Sequence, residues 1–331
     1  MVEEVNMKNY TILAPFDKYY NGVADFKIQL LPSAGDSDPN VVTRAKSGNL
    51  DYGYTKMVAD VQALEGTPGI TVTPIDVRYT RLFYLNKFDK KDGSPAPLAD
   101  VRVRQALRYA IDMETICETL FQGSAVPANA LAPDANLKGG DLNDYNYNPE
   151  KAKELLAEAN WDPNTVIKAV YYYTDQATVD LMTAVQAYLA DVGIKMEFEL
   201  VEGDLATILW TAPADQTNGP RAVDWDICYA ANAALSLHEY YDRYRTGSPT
   251  NSHTPEDAEL NRLIDATNAS ADVNAQNEAF KELIKYENEN LFTMALYYQP
   301  IFLITSDKIG DIQKGTPQFC INWGIQNWNV Q

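Results

Sequence analysis

Ile194, Met196, Phe198 and Leu200 alternate with Lys195, Glu197 and Glu199, a period of two that predicts a strand buried on one face. Just upstream, Leu181, Ala184, Val185, Tyr188, Leu189 and Val192 recur at helical spacing and Gly193 follows, which predicts a helix stopped by a left-handed residue. Asn148 and Pro149 open an earlier helix whose apolar stripe is Ala152, Leu155, Leu156 and Ala159, ending near Trp161. Between the two helices the β-branched and aromatic run from Val166 to Tyr173 reads as a strand. Residues from about 148 to 200 therefore form a helix, strand, helix, strand unit of the βαβ kind.

The rest of the chain continues the alternation. A short strand is expected from Trp225 to Ala230 after a Pro/Asn/Gly loop. A helix starting at Thr254-Pro255 carries Leu260, Leu263 and Ile264, and another carries Phe280, Leu283 and Ile284. From Leu291 to Ile304 the chain turns apolar and aromatic, as one long strand or two consecutive ones. The class is α/β, and no internal repeat is visible.

Composition narrows the function. The chain has 331 residues, 46% hydrophobic and 22% charged, enough for one large domain or two, folded throughout. Against 27 Lys and Arg stand 46 Asp and Glu, a formal charge of −19 spread along the chain. Such a field repels phosphate backbones and excludes nucleic acid as a partner. Cys117, Cys228 and Cys320 have no CxxC spacing and read as three packed free thiols; with only His238 and His253 besides, no metal site and no cofactor is expected. No apolar run approaches the roughly 18 residues of a membrane span. Met1 to Tyr10 has no apolar h-region, no basic n-region and no lipid-accepting Cys, so the protein is either cytosolic or given without its export signal.

Asp100 can cap a helix with Val103, Ala106, Leu107, Ala110 and Ile111 on its apolar face, and Asp112 can cap the next. The wording of this stretch, Ala99-Asp-Val-Arg-Val-Arg-Gln-Ala-Leu-Arg-Tyr-Ala-Ile-Asp112 after the strand Leu82-Phe-Tyr-Leu-Asn86, closely resembles the oligopeptide and dipeptide solute-binding proteins of ABC importers, family 5. The resemblance continues through Gly123, Pro127 and Asn129, then Tyr147-Asn-Pro-Glu-Lys-Ala-Lys-Glu-Leu-Leu-Ala-Glu-Ala-Asn-Trp161, then Val192-Gly-Ile-Lys195 and Trp225-Asp226. Upstream, Arg44 to Asp51 and Asp60-Val61 are similar to further landmarks, and Tyr20 to Phe26 to a strand of the family.

The resemblance implies a periplasmic-binding-protein type II fold, in which two α/β lobes enclose a solute. It implies a first-lobe part and hinge strand over 1–84, a second lobe over 85–296 and return strands over 297–331, as if the amino-terminal part of the family plan had been trimmed. It further implies a monomeric, extracytoplasmic protein, periplasmic or a cell-surface lipoprotein, that captures an oligopeptide or other small solute and delivers it to ABC transporter permease subunits. A sugar- or metal-complex-binding member, or a surface interaction module without transport, are the alternatives.

Ligand contacts in this family come from hinge strands and from the loop after Trp225-Asp226. The strand Val77 to Asn86 puts Tyr79, Arg81 and Phe83 on one face and Arg78, Thr80 and Leu82 on the other. Tyr79 and Arg81 suit a peptide backbone or carboxylate as readily as they suit packing. The loop Ala230 to Leu235 has Asn232 and Leu235 where peptide-binding members carry Trp and Asp. Trp210, Tyr229, Tyr297 and Tyr298, near expected strand ends, offer aromatic faces with one polar handle. Catalysis is not expected: the pairs Glu202/Asp204 and Asp224/Asp226 could flank a glycosidic bond, but fit capping and surface solvation as well.

Overall fold

The computed structural model describes residues 1–32, 38–75, 77, 79–233, 237–310 and 324–331; Arg78, Leu235 and Cys320 lie outside them. The chain divides into two compact units, Met1–Val77 with Gln299–Gln331, and Arg78–Tyr298. The boundaries expected at 84/85 and 296/297 fall inside two strands of the larger unit.

The smaller unit opens with β1 (Val2–Asn6), β2 (Tyr10–Leu13) and β3 (Ile28–Leu30), paired antiparallel in that order. The strand expected over Tyr20 to Phe26 is absent: Gly22 turns the chain at φ +98°, and pairing begins only at Ile28. Then follow α1 (Val41–Lys46), β4 (Tyr52–Thr55), α2 (Val58–Leu64) and β5 (Ile70–Ile75).

The larger unit begins with β6 (Tyr79–Leu85), α3 (Val101–Ala110), α4 (Met113–Thr119), β7 (Val126–Pro127) and α5 (Pro149–Glu158). It continues with β8 (Val166–Tyr171), α6 (Gln176–Asp191), β9 (Lys195–Leu200), α7 (Leu205–Trp210) and β10 (Ile227–Ala233). It closes with α8 (Ala258–Ala266), α9 (Val273–Asn290) and β11 (Thr293–Tyr298). The chain then returns to the smaller unit in β12 (Ile301–Ser306), which joins β4 and β5 from between them, and in β13 (Ile309–Gly310) and β14 (Asn329–Val330), which pair with each other. Val41, Ala45, Leu64 and Ile304 form that unit's small core. The apolar run from Leu291 is thus two strands in two sheets, parted at Pro300, which lacks a backbone donor.

The larger sheet has the order β7-β11-β6-β10-β8-β9. β8 pairs parallel with β9 and with β10, while β6 is antiparallel to both β10 and β11. Alternation along each strand feeds two cores. Phe83, Leu85, Ile167, Ala169, Ile227 and Tyr229 meet α3 to α6 on one face; Leu82, Tyr84, Val170, Cys228 and Ala230 meet α7 to α9 on the other. All seven residues of β6 are buried as a result.

Local chemistry sets the helix ends. α5 closes in a Schellman turn, Trp161 N to Leu156 O at 2.9 Å and Asn160 N to Ala157 O at 3.1 Å, which stops it before Trp161. α6 ends the same way at Gly193, φ +86°. A Cβ there meets nothing within 4 Å, so Gly193→Ala is expected to cost only the left-handed backbone penalty, about 1–2 kcal/mol in urea denaturation. α8 starts three residues later than its Thr254-Pro255 signal, because Asp257 is the cap and accepts from Leu260 N at 2.8 Å. Strand β10 outruns its expected end at Ala230, since it pairs with β6 as far as Ala233 opposite Tyr79; Asn232 is therefore a strand residue.

Candidate ligand-binding site

Arg81 stands in the middle of the sheet, opposite Ala231 on β10 and Tyr297 on β11. Its guanidinium carbon lies 4.1 Å from the ring centroid of Tyr173, 5.0 Å from Tyr79 and 5.8 Å from Tyr229. A guanidinium keeps its charge at every accessible pH, so this is a permanent cation bordered by three π faces. The Tyr229 and Tyr297 hydroxyls share a 2.7 Å hydrogen bond, and burial pushes the Tyr229 phenol up to about 12. Phe121 packs 4.4 Å from the Tyr297 ring. Tyr79, Arg81, Tyr229 and Tyr297 are all buried, whereas Tyr172 and Tyr173 are half-buried, their rings tilted at 33° with centroids 4.4 Å apart and hydroxyls 3.0 Å apart.

The structure thus gathers four of the seven candidate residues and sets the other three apart. Asn232 and Tyr298 lie opposite Thr80, on the alternate face from Arg81. Asn232 Nδ2 donates to Tyr240 O at 3.0 Å. The Tyr298 hydroxyl donates to Ala130 O at 2.6 Å and accepts from Lys138 Nζ at 2.9 Å. Trp210, expected near a strand end, is the last residue of helix α7 and packs edge-on to Tyr84 at 4.8 Å, with the Arg243 guanidinium 4.3 Å over its ring.

Tyr173 was not among the candidates. It closes the run Tyr171-Tyr172-Tyr173 just past the end of β8, beside β10, where side chains at carboxyl ends of parallel strands collect. Three consecutive tyrosines at a strand end were the available signal.

The carboxylate pairs have other work. Asp204 caps α7, accepting from Thr207 Oγ1 at 2.7 Å, and Glu202 is exposed. Asp224 pairs with Lys168 at 3.0 Å near the surface. Asp226 is fully buried with Arg221 Nη1 at 2.6 Å from Oδ1, while Oδ2 accepts from Lys168 N at 2.8 Å. Cys117 and Cys228 are buried free thiols. Among the described residues no three His, Cys, Asp or Glu are grouped to hold a metal, and no helix is long and apolar enough to cross a membrane.

The profile of the bacterial extracellular solute-binding proteins, family 5 Middle, matches residues 1–254. The chain belongs to this family. Over 64 residues this family 5 chain is 48% identical to the dipeptide-binding protein of Escherichia coli, 19% of this chain and 12% of that protein. Over 130 residues it is 35% identical to heme-binding protein A of Haemophilus influenzae, 38% of this chain and 22% of that protein. The structure of the oligopeptide-binding protein of Bacillus subtilis in complex with a nonapeptide superimposes with a TM-score of 0.77 at 18% identity, covering 100% of this chain and 66% of that one. The fold of this family 5 member is accordingly of the periplasmic-binding-protein type II kind. The matched stretches span less than a quarter of these two curated relatives' lengths, and the whole chain spans about two thirds of the solved one.

Proposed function

We propose that this protein is the solute-capturing component of an ABC importer, that it works outside the cytoplasm, and that its solute is a peptide or peptide-like molecule. The observation that carries the reading is the Arg81 cluster: a fixed cation bordered by Tyr79, Tyr173 and Tyr229, with the hydroxyl pair of Tyr229 and Tyr297 beside it. Aromatic faces take up apolar parts of a solute, and hydroxyl and guanidinium groups orient its carbonyls or carboxylate. Half-buried Tyr172 and Tyr173 are where a solute first meets the cluster. Asn232, Tyr298 and Trp210, engaged with partners inside the unit, support this surface from behind. Delivery to permease subunits follows from the same reading, and binding involves no chemical step.

A thermal-shift screen of short peptides selects the solute, since a ligand at 100 times its dissociation constant adds about 2.7 kcal/mol. Calorimetry with that peptide then tests the site. Arg81→Ala is expected to weaken binding about 5- to 150-fold, the cost of about 1–3 kcal/mol for losing a desolvated polar partner. Tyr173→Leu, at the half-buried edge where the fold is least at stake, should weaken it as well. If both variants bind like the parent, the site lies elsewhere.

A second reading is favoured by the likeness to a heme-binding protein: the solute is a metal complex. Haem and nickel–histidine belong in the same screen, and a shift with these alone, none with any peptide, would replace the peptide reading.

A further inference from the structure

We propose that His253 is an acid-sensitive latch that fastens the 251–254 loop to the end of β6. All four loop residues are essentially without solvent exposure. Asn251 closes the loop on itself, Nδ2 donating to Thr254 O at 2.7 Å and Oδ1 accepting from Thr254 N at 2.9 Å. Ser252 Oγ donates to Leu209 O at 2.7 Å, and His253 O accepts from Lys87 N at 2.9 Å, two residues past the last residue of β6.

The imidazole itself is seated among rings. It packs edge-on to Tyr84 of β6 and to Tyr244, each at 5.0 Å, with Trp225 at 6.4 Å. Neither ring nitrogen has a hydrogen-bond partner among the described residues. The basic groups that act on it are Lys87, just past β6, whose own amine is held well below the ordinary lysine value by burial and by Arg104, and Arg243, whose guanidinium stands 6.0 Å over the Tyr84 ring. The titratable phenols against it are Tyr84 and Tyr244, and the Tyr244 hydroxyl accepts from Thr293 Oγ1 at 2.5 Å. Of the buried carboxyls of this core, Asp226 is paired with Arg221, while Glu287 of α9, beside Thr293 and Lys87, is pushed up to about 8 by burial and has Oε1 without a hydrogen-bond partner among the described residues. A proton on His253 would therefore add a positive charge to a dry seat already bordered by two basic side chains, with neither ring nitrogen bonded to a carboxylate among the described residues.

The direction follows from this geometry. Burial first, then Lys87 and Arg243, hold the imidazole well below the ordinary histidine value of 6.5. The neutral ring's contribution is complete above 6.5, the value in the opened loop, and is lost as pH falls below it. From pH 7.5 to pH 5.0 the opened fraction is expected to rise by up to about 30-fold, the limit for one proton bound on opening while the folded ring stays neutral.

The chain has only two histidines, His238 and His253, which makes the test direct. Imidazole NMR of the unmodified protein is expected to show the His253 ring neutral at pH 5.5, with amide exchange at Lys87 and residues 251–254 accelerated by up to about 30-fold at pH 5.0 after correction for intrinsic rates. His253→Phe, which keeps a ring and removes the proton site, should abolish that acceleration. Titration of His253 near 6.5 in the folded protein overturns the proposal, as does an unchanged acid acceleration in His253→Phe. Should that variant not fold, the imidazole titration decides alone.

Discussion

Asp226→Ala is expected to destabilise the larger unit by about 3–5 kcal/mol, read as a fall in the urea midpoint followed by tryptophan fluorescence. The reason is Arg221. Its side chain is almost wholly buried and its charge is met by Asp226 Oδ1 at 2.6 Å, with Trp225 O a further acceptor at 3.1 Å. Removing Asp226 leaves the buried guanidinium only a looser contact of Nη2 with the exposed Asp224, 3.6 Å away, in a medium that solvates it poorly. Asp226 also ties strands together, accepting Lys168 N through Oδ2 and Asn86 N through its own carbonyl. Removing both charges, Arg221→Met with Asp226→Ala, should recover much of the loss, because the stranded charge then disappears. A double variant no better than Asp226→Ala would place the cost in the strand ties instead.

Arg104→Ala carries the second large expectation, about 3–5 kcal/mol by the same measurement. Its guanidinium donates to Leu98 O at 2.8 Å, Ala99 O at 2.7 Å, Asn290 O at 2.7 and 3.0 Å and Leu291 O at 3.0 Å. The first two carbonyls lie just before α3 and the last two finish α9, where Leu291 turns left-handed at φ 44°. One side chain thereby fastens the start of one helix to the end of another, and hydrogen bonds to a charged group contribute about 1.5–3 kcal/mol each. Arg104→Lys is expected to recover less than half, since a single ammonium cannot span four carbonyls arranged for a planar fork. A lysine variant as stable as the parent would show that charge alone matters there.

This arginine also marks where sequence reasoning ran out. The stretch from Ala99 to Asp112 announced its helices through its caps, and Asp100 and Asp112 do accept from Arg102 N and Thr115 N. Nothing local announced Arg104's partners at 290 and 291, which only the folded chain brings near. The βαβ unit was legible because each of its signals is local: the alternation in β9, the stripe and left-handed stop of α6. β10 runs past the end its sequence suggests because Ala231, Asn232 and Ala233 have little strand preference of their own, and pairing with β6 overrides it. Three of the site candidates separated from the rest for a comparable reason. Two of these, Asn232 and Tyr298, sit one residue off the register of Arg81's neighbours, and one residue in a strand is the other face.

The central place of β6 has a consequence for how the chain folds. Its Leu85 pairs with Ile227 and its Tyr84 with Thr293, so the sheet's middle strand is among the first of its parts to be synthesised and the last to acquire both neighbours. Until residue 298 has emerged, a strand with seven buried side chains, Leu82 to Leu85 among them in the two cores, must wait with one edge open. Contacts so distant along the chain slow the search for the native state, and an apolar strand held open in the meantime is a template for misassociation. Refolding yield should therefore fall with protein concentration more steeply than stability alone would suggest.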